Sequence, residues 1–363
     1  MKKVFLLILS VFLLTGCMNS KEDNLKGFKD YNSKKESYKI TGSMSLVSNE
    51  DEFTYDVEVA VKDNEYYKVT LTNTINNHVQ VILKNADGVY VVTPNLNKSF
   101  KFQSEWPSNS SQAYLLEALV RDINNDSEAT ITETDDGFTI NAKVNYPNNS
   151  KLDNEIITTD KDYNVKKVEV MNVDGNAILT VNMKNIDYKP NFDETYFDLD
   201  EIIQVEDSNT EETTKKTEED CMQSCTEGDT TCEDKCKSQD TESTSNILDE
   251  IIYPLYVPTD TYLSSKDTVS TDTGNRVILT FAGTDPFILV EEAAIINDEM
   301  EIIPVNGEPL MMGATVGALT SNSLYWTSEG IDYYLTSNTL DSNEMMTIAE
   351  SITNGASLVA STK

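Results

Sequence analysis

Apolar and polar residues alternate with a period of two along much of this chain. Such alternation predicts β-strands with one buried face. In the first half the predicted strands cover residues 38–46, 53–61, 66–72, 79–83, 129–134, 138–144, 154–159, 165–171 and 177–183. Short turns rich in Asn, Asp and Gly separate them, and no crossover helix intervenes. We therefore predict a curved antiparallel sheet, open to water on one face and covered by helix on the other.

The stretch 88–107 and the residues after it form the centre of this pattern. Tyr90 alternates with valines in one predicted strand, and Phe100 and Phe102 share one face of the next. Asn109 and Gln112 have the spacing of a capping box, so we predict that a helix begins there and extends to Ile123. Its apolar stripe must pack on the sheet, and it consists of Leu115, Leu116, Leu119, Val120 and Ile123.

The N-terminus has the features of an export signal. Lys2 and Lys3 precede an apolar run over residues 4–14, which is too short to span a bilayer. The run ends in Leu-Thr-Gly-Cys17, which resembles the lipobox of bacterial lipoproteins. We expect residues 1–16 to be a signal peptide, Cys17 to carry diacylglycerol, and residues 17–23 to tether the protein to the extracytoplasmic face of the membrane. The alternative is an ordinary secreted start with a chance cysteine.

Charge narrows the classes of partner. The chain has 62 Asp and Glu against 28 Lys and Arg, a net charge of −34. Nucleic acids and anionic lipid headgroups would be repelled, so we expect neither as a partner. Acyl chains and basic proteins remain compatible with this charge.

Residues 206–246 interrupt the apolar pattern and predict an acidic linker between two domains, 24–205 and 247–363. The linker contains two C-x3-C pairs, formed by Cys221, Cys225, Cys232 and Cys236. Outside the cytoplasmic membrane we expect two disulfides, and we favour Cys221 with Cys236 and Cys225 with Cys232. A zinc site built from the four thiolates is the alternative, although zinc sites usually use C-x2-C turns.

The second domain is predicted to be small and α+β. Short strands are expected at 276–281, 286–290, 301–305, 323–327 and 331–335. Asp341 and Glu344 have capping-box spacing at the start of a final helix, whose buried stripe includes Met345 and Ile348. The fold class is therefore α+β and mainly antiparallel β.

The strand succession, the run VYVVTPNLNKSFKFQSEWP and the closing residues 192–199 resemble the LolA-type lipoprotein-carrier superfamily. The resemblance is closest to the GerS-like and YdcC-like sporulation and germination lipoproteins of Firmicutes, and residues 247–363 are similar to the C-terminal domain of unknown function of the YdcC type. It implies a half-barrel whose concavity holds acyl chains. The wall residues implied are Tyr90, Phe100, Phe102, Trp106, Tyr114 and Leu115, each of which is otherwise plain core.

Motifs for catalysis are absent from the sequence. The single histidine, His78, has no nucleophile motif to serve, and Asp160-x-Asp162-x-Asn164 lacks the later ligands of a calcium loop. We expect a binding protein without cofactors, not an enzyme. The resemblance implies support of a cortex-modifying enzyme, such as an N-acetylmuramoyl-L-alanine amidase, during sporulation or germination. The alternative is a carrier or sequestering protein for a lipid or lipoprotein acyl chain.

Overall fold

Two sheets contain most of the strands in this computed structural model. It describes residues 21–48, 51–202, 248, 251–271, 274–296, 299–313 and 315–361, with side chains through residue 352. The predicted α+β fold, built mainly from antiparallel strands, is confirmed. Cys17 and the four linker cysteines lie outside the described residues. Among the described helices, none is long and apolar enough to cross a membrane.

The large sheet has twelve strands, eleven of them from the first half of the chain. These are β1 Tyr38–Ser48, β2 Asp51–Lys62, β3 Tyr66–Asn73, β4 Val79–Asn85, β5 Gly88–Thr93, β6 Lys98–Phe102, β7 Thr130–Glu133, β8 Gly137–Lys143, β9 Leu152–Asp160, β10 Val165–Asn172 and β11 Ala177–Asp187. Within β1–β11 sequential strands are neighbours except β6 and β7, and the pairing of β1 with β11 joins the two series of hairpins. At that seam Gly42 lies so close to β11 that a Cβ would stand 2.1 Å from the Asn182 carbonyl oxygen.

The small sheet has seven strands in the order β12-β13-β14-β19-β18-β17-β16. The strands from the second half of the chain are β12 Thr261–Thr271, β13 Gly274–Gly283, β14 Phe287–Ala293, β15 Glu301–Val305, β16 Glu308–Met312, β17 Thr315–Leu319, β18 Ser323–Ser328 and β19 Ile331–Ser337. Residues 301–305 were predicted to belong to the small domain, but β15 instead pairs in parallel with β6 and extends the large sheet. Ile303 and Val305 pack on the core of the large sheet, which accounts for this position.

Among the described residues, the α-helices with defined bounds are α1 Lys21–Asn32, α2 Leu116–Asn125 and α3 Ser342–Ser361. The predicted apolar stripe of α2 is confirmed, since Leu116, Leu119 and Ile123 are buried in the core of the large sheet. The capping box of α3 is also confirmed, because the Glu344 N–H donates to Asp341 Oδ1 at 2.9 Å. α3 packs on the small sheet through Met345 and Ile348.

The predicted start of α2 is wrong. The helix begins at Leu116, and its N-cap residue Leu115 supplies no side-chain hydrogen bond. The Tyr38 hydroxyl oxygen from β1 accepts from the Leu116 N–H at 3.0 Å instead, while its proton is donated to Glu117 Oε2 at 2.7 Å. A tertiary contact thus replaces the local cap that the spacing of Asn109 and Gln112 predicted.

Candidate functional site

The two faces of the large sheet carry separate apolar clusters. The inner face, which we define as the face that packs on α2, contains Phe100, Phe102 and Trp106. The opposite face contains Tyr90 and is covered by Phe197 and Ile202. The register explains the difference, because Tyr90 pairs with Lys101 while Phe100 pairs with Val91. Tyr90 therefore cannot share a groove with Phe100, and its place in the predicted wall is corrected.

The small sheet closes the inner face of the large sheet. Val316 and Ala318 from β17 belong to the same buried cluster as Trp106 and Leu115. The ring of Tyr325 from β18 meets the ring of Phe100 edge-on, with 5.0 Å between centroids. The chain therefore fills, with its own residues, much of the surface that the sequence analysis assigned to a ligand.

Buried polar contacts fix this junction between the sheets. The Lys98 ammonium on β6 forms an ion pair with Asp332 on β19, and both side chains are at most 8% exposed. Gln80 Oε1 on β4 accepts from the Val316 N–H at 2.7 Å, and its Nε2 donates to the Val316 carbonyl oxygen at 3.4 Å. The Tyr55 hydroxyl donates to the Gly313 carbonyl oxygen. Because each contact joins one sheet to the other, the orientation of the two units is specified by polar geometry as well as by apolar packing.

A cavity of about 240 Å³ remains between the sheets. Its apolar lining comes from both units and includes Leu46, Ile82, Trp106, Tyr114, Leu152, Leu179, Met311, Val316 and Met346. Trp106 and Tyr114 are the two predicted wall residues that line it, whereas Phe100, Phe102 and Leu115 are buried beside it in the core. Mostly apolar walls with a few polar groups are typical of small-molecule sites, but those sites usually measure roughly 300–1,000 Å³.

Two carboxylates also line the cavity. Glu308 accepts hydrogen bonds from the side-chain amides of Asn109 and Asn148, and burial raises the pKa of its carboxyl group despite these donors. Burial likewise raises the pKa of Glu350 on α3. Asn109, predicted to cap α2, thus holds the loop before that helix against β16.

None of the cavity residues that the small sheet contributes was predicted from the sequence. Met311 lies in β16 and Val316 in β17, and neither strand was predicted. The apolar residues at 310–312 and 315–319 could have indicated these strands. Gly313 between them made the segment resemble a loop. Gly313 adopts a φ of 43°, so glycine is suited to the turn between these strands.

In the part of the chain that the structure describes, the remaining candidates from the sequence form no catalytic or metal-binding arrangement. Asp160 Oδ1 accepts from the Asp162 and Asn164 N–H groups in a hairpin turn, as predicted. Burial lowers the pKa of His78, so its imidazole is held toward the neutral form. Within the described ranges, no cluster of three or more His, Cys, Asp or Glu residues is arranged to hold a metal ion.

Comparison with known proteins gives one extensive sequence match. The chain is 33% identical over 347 residues to sporulation protein YdcC of Bacillus subtilis (strain 168), a match that covers 95% of this chain and 94% of that protein. The chain belongs to the YdcC family. The resemblance inferred from the sequence is thereby confirmed. No protein-family model matches the chain.

Solved structures similar to this YdcC-family protein include members of the LolA superfamily. MucB matches with 9% identity and a TM-score of 0.32, over 93% of this chain and 98% of MucB. A LolA-superfamily protein of Nitrosomonas europaea matches with 12% identity and a TM-score of 0.30, over 50% and 98% of the two chains. The complex of the CwlD amidase of Clostridioides difficile with the GerS lipoprotein matches with 17% identity and a TM-score of 0.28, over 48% and 100%. Likenesses this distant do not establish a shared function.

Proposed function

We propose that this protein is a lipid-anchored, extracytoplasmic interaction module that acts in sporulation or spore germination by supporting a cortex-modifying enzyme. The YdcC relative is a sporulation protein, which supports the process. The predicted lipobox at Cys17 supports the location. The class of partner comes from the resemblance to GerS-like lipoproteins, and GerS itself is found in a complex with the CwlD amidase.

The observation that carries the proposal is the closed inner face of the large sheet. A carrier needs an open concavity, but here Val316 and Ala318 are buried against that face at 2% and 1% exposure. Opening the face would break the Lys98–Asp332 ion pair and the Gln80 hydrogen bonds. The chain is therefore better suited to present its outer surfaces to a protein than to load a large ligand inside.

The test is co-purification of the full-length chain with the cortex amidase of the same organism. Both proteins are produced together, membranes are solubilised in mild detergent, and the complex is captured through a tag on the amidase. We expect a stoichiometric complex from the membrane fraction. We expect Cys17→Ala to move the complex to the soluble fraction without dissociating the two proteins. Failure of the amidase to retain the wild-type chain would overturn the proposal.

A second candidate function is sequestration of a single acyl chain in the cavity of about 240 Å³. The apolar side chains of Leu46, Leu179 and Met311 favour it. Native mass spectrometry of the protein purified from cells would show a bound lipid, and Leu46→Trp should exclude that lipid by filling the space. Leu255→Trp is the matched control, because Leu255 is 68% exposed. Recovery of lipid-free wild-type protein would contradict this second function.

A further inference from the structure

The small sheet has one covered face and one face that is covered only in part. α3 packs on the first face, together with Leu248, Ile251, Ile252 and Val257. On the second face, one row of directly paired residues crosses all seven strands, and directly paired residues share a face. The row consists of Asp267, Ile278, Val290, Tyr334, Tyr325, Ala318 and Pro309.

The large sheet covers one end of this row and leaves the other end exposed. Ala318 is 1% exposed, and Tyr325 packs on Phe100. Beyond Tyr325, Tyr334 and its neighbour Ile288 are each 38% exposed, and Val269 is 46% exposed. Ile278 and Val290 lie on the interior strands β13 and β14, and both side chains are partly exposed. We call the surface of Val269, Ile278, Ile288, Val290 and Tyr334 the open face.

We propose that the open face is a docking surface for a protein segment that presents apolar or aromatic side chains flanked by Lys and Arg. Single exposed apolar residues are ordinary on protein surfaces, but contiguous ones indicate an interaction site. The open face is contiguous because its residues are paired or adjacent across β12, β13, β14 and β19. The inference rests on the proposed function and names the surface that would perform it.

Charge selects the partner. Residues 247–363 contain 17 Asp and Glu but only 3 Lys and Arg. Arg276 lies next to the open face, but its guanidinium forms an ion pair with Glu292 at 2.8 Å. Asp267 is paired directly with Ile278 in the row. A second copy of this chain would bring the same acidic surface, and anionic lipid would also be repelled. A basic protein segment is therefore the complementary occupant.

A groove at the edge of the open face offers an anchoring position. It measures about 440 Å³ and is lined by Phe100, Ile303, Val305, Tyr325 and Tyr334, among others. Tyr334 belongs to both the groove and the open face, so the two surfaces are continuous. Aromatic side chains that enter such pockets commonly dominate binding energy at interfaces.

The docking mode is side-chain contact and not strand addition at β15. The Glu301 N–H donates to the Asn97 carbonyl oxygen, and the Val305 carbonyl oxygen accepts from the Gln103 N–H. Because backbone groups alternate in direction along a strand, Pro304 lies at a position that would direct its N–H away from β6. Proline lacks that donor, so the outer edge of β15 cannot form a complete ladder of hydrogen bonds with an added strand.

The experiment measures binding of two peptides to the full-length chain in detergent by fluorescence anisotropy. One 12-residue peptide alternates Lys with Phe and Leu, and the other has the same Lys residues but Ser at the apolar positions. We expect the apolar peptide to bind about tenfold more tightly, and Ile288→Ser with Tyr334→Ser to remove this advantage. Ile75→Ser with Leu255→Ser is the charge-matched control, since those residues are 78% and 68% exposed elsewhere.

The outcomes separate the docking surface from the proposed function. Equal binding of the two peptides, or equal effects of the two double variants, would show nonspecific attraction to an acidic protein and overturn the inference. If the amidase binds the open-face variant as well as it binds the wild type, the inference is wrong and the proposed function stands. If the amidase binds neither the wild type nor the open-face variant, the proposed function fails. The peptide measurements still test whether the open face is a docking surface. A dimer in sedimentation velocity that the open-face variant abolishes would assign the surface to self-association instead.

Discussion

The junction between the sheets and the core beneath α2 bury polar groups in different ways. At the junction, the partners of Lys98, Gln80 and Tyr55 come from the other sheet, whereas Glu155 beneath α2 has no hydrogen-bond partner in the described structure. Lys98 forms an ion pair with Asp332, and the Thr327 hydroxyl donates to Asp332 Oδ1 at 2.5 Å. Glu155 is 1% exposed, and neither of its carboxylate oxygens has a hydrogen-bond partner in the described structure. The two regions bury charge-bearing groups to similar depth but leave them in different chemical states.

The difference shows what each region contributes. A paired charge at the junction constrains the orientation of two apolar surfaces that could otherwise slide, which makes it a device of specificity. Burial and the nearby Asp122 carboxylate instead raise the pKa of Glu155 well above the ordinary value, although Arg121 opposes the shift, and this direction favours the protonated carboxyl group. The junction therefore contains a charged pair, whereas the core beneath α2 favours an uncharged Glu155 side chain.

The largest expected effect comes from breaking the junction pair. Lys98→Met leaves the Asp332 carboxylate buried without its counterion, and we expect the free energy of unfolding to fall by about 3–5 kcal/mol. Urea unfolding followed by tryptophan fluorescence measures it, because Trp326 and Trp106 are buried in the two units.

Two controls sharpen that test. Adding Asp332→Leu to Lys98→Met should recover most of the loss, because no unpaired charge remains. Lys166→Met removes an ion pair with Asp160 at the surface, where Lys166 is 55% exposed, and should cost about 0–1 kcal/mol. Equal losses from Lys98→Met and Lys166→Met would contradict the role of burial.

The sequence predicted most strands of the large sheet because alternation reports one buried face, although β4 and β5 are buried on both faces. β12 was missed because almost all its side chains are exposed, so it has no apolar period. β17 was missed for the opposite reason, since all five of its residues are buried. A period of two is clearest in strands with two different faces, although β5 was predicted even with residues 89–93 all buried.

The candidate site was less predictable than the fold. Trp106 and Tyr114 were implied by the resemblance to LolA-type carriers, but Met311, Val316 and Met346 reach the cavity only because the small sheet packs on the large one. No local period encodes that packing. Tyr90 was a different error, because the register pairs Val91 and not Tyr90 with Phe100, which puts Tyr90 on the opposite face.

A smaller effect is expected beneath α2, where the pH dependence distinguishes the two regions. The folded-state pKa of Glu155 is raised, so the folded chain holds a proton that the unfolded chain releases above its ordinary pKa of 4.5. Stability contributed by this group is complete below that pH and is lost as pH rises toward the folded-state pKa, at about 1.4 kcal/mol per pH unit.

Glu155→Gln should therefore flatten the fall in stability above pH 4.5 and make the protein more stable than the wild type at pH 7. Part of the fall will remain, because burial also raises the pKa of Asp122 and Glu117. Thermal unfolding between pH 4 and pH 8 measures the slope, and Glu52→Gln on the exposed surface of β2 serves as the matched control. A slope unchanged by Glu155→Gln would show that the carboxyl group is ionised in the folded chain.

The smallest expected effect tests whether a single neutral hydrogen bond contributes to the junction. Tyr55→Phe removes the hydroxyl that donates to the Gly313 carbonyl oxygen and keeps the ring in the core, so we expect a loss of about 0.5–1.5 kcal/mol. Tyr262→Phe, at a residue 63% exposed, should leave the free energy of unfolding unchanged. If both variants behave alike, the Gly313 turn is held by the packing of the sheets alone, and the contrast between the two regions rests on the Lys98 ion pair and Gln80.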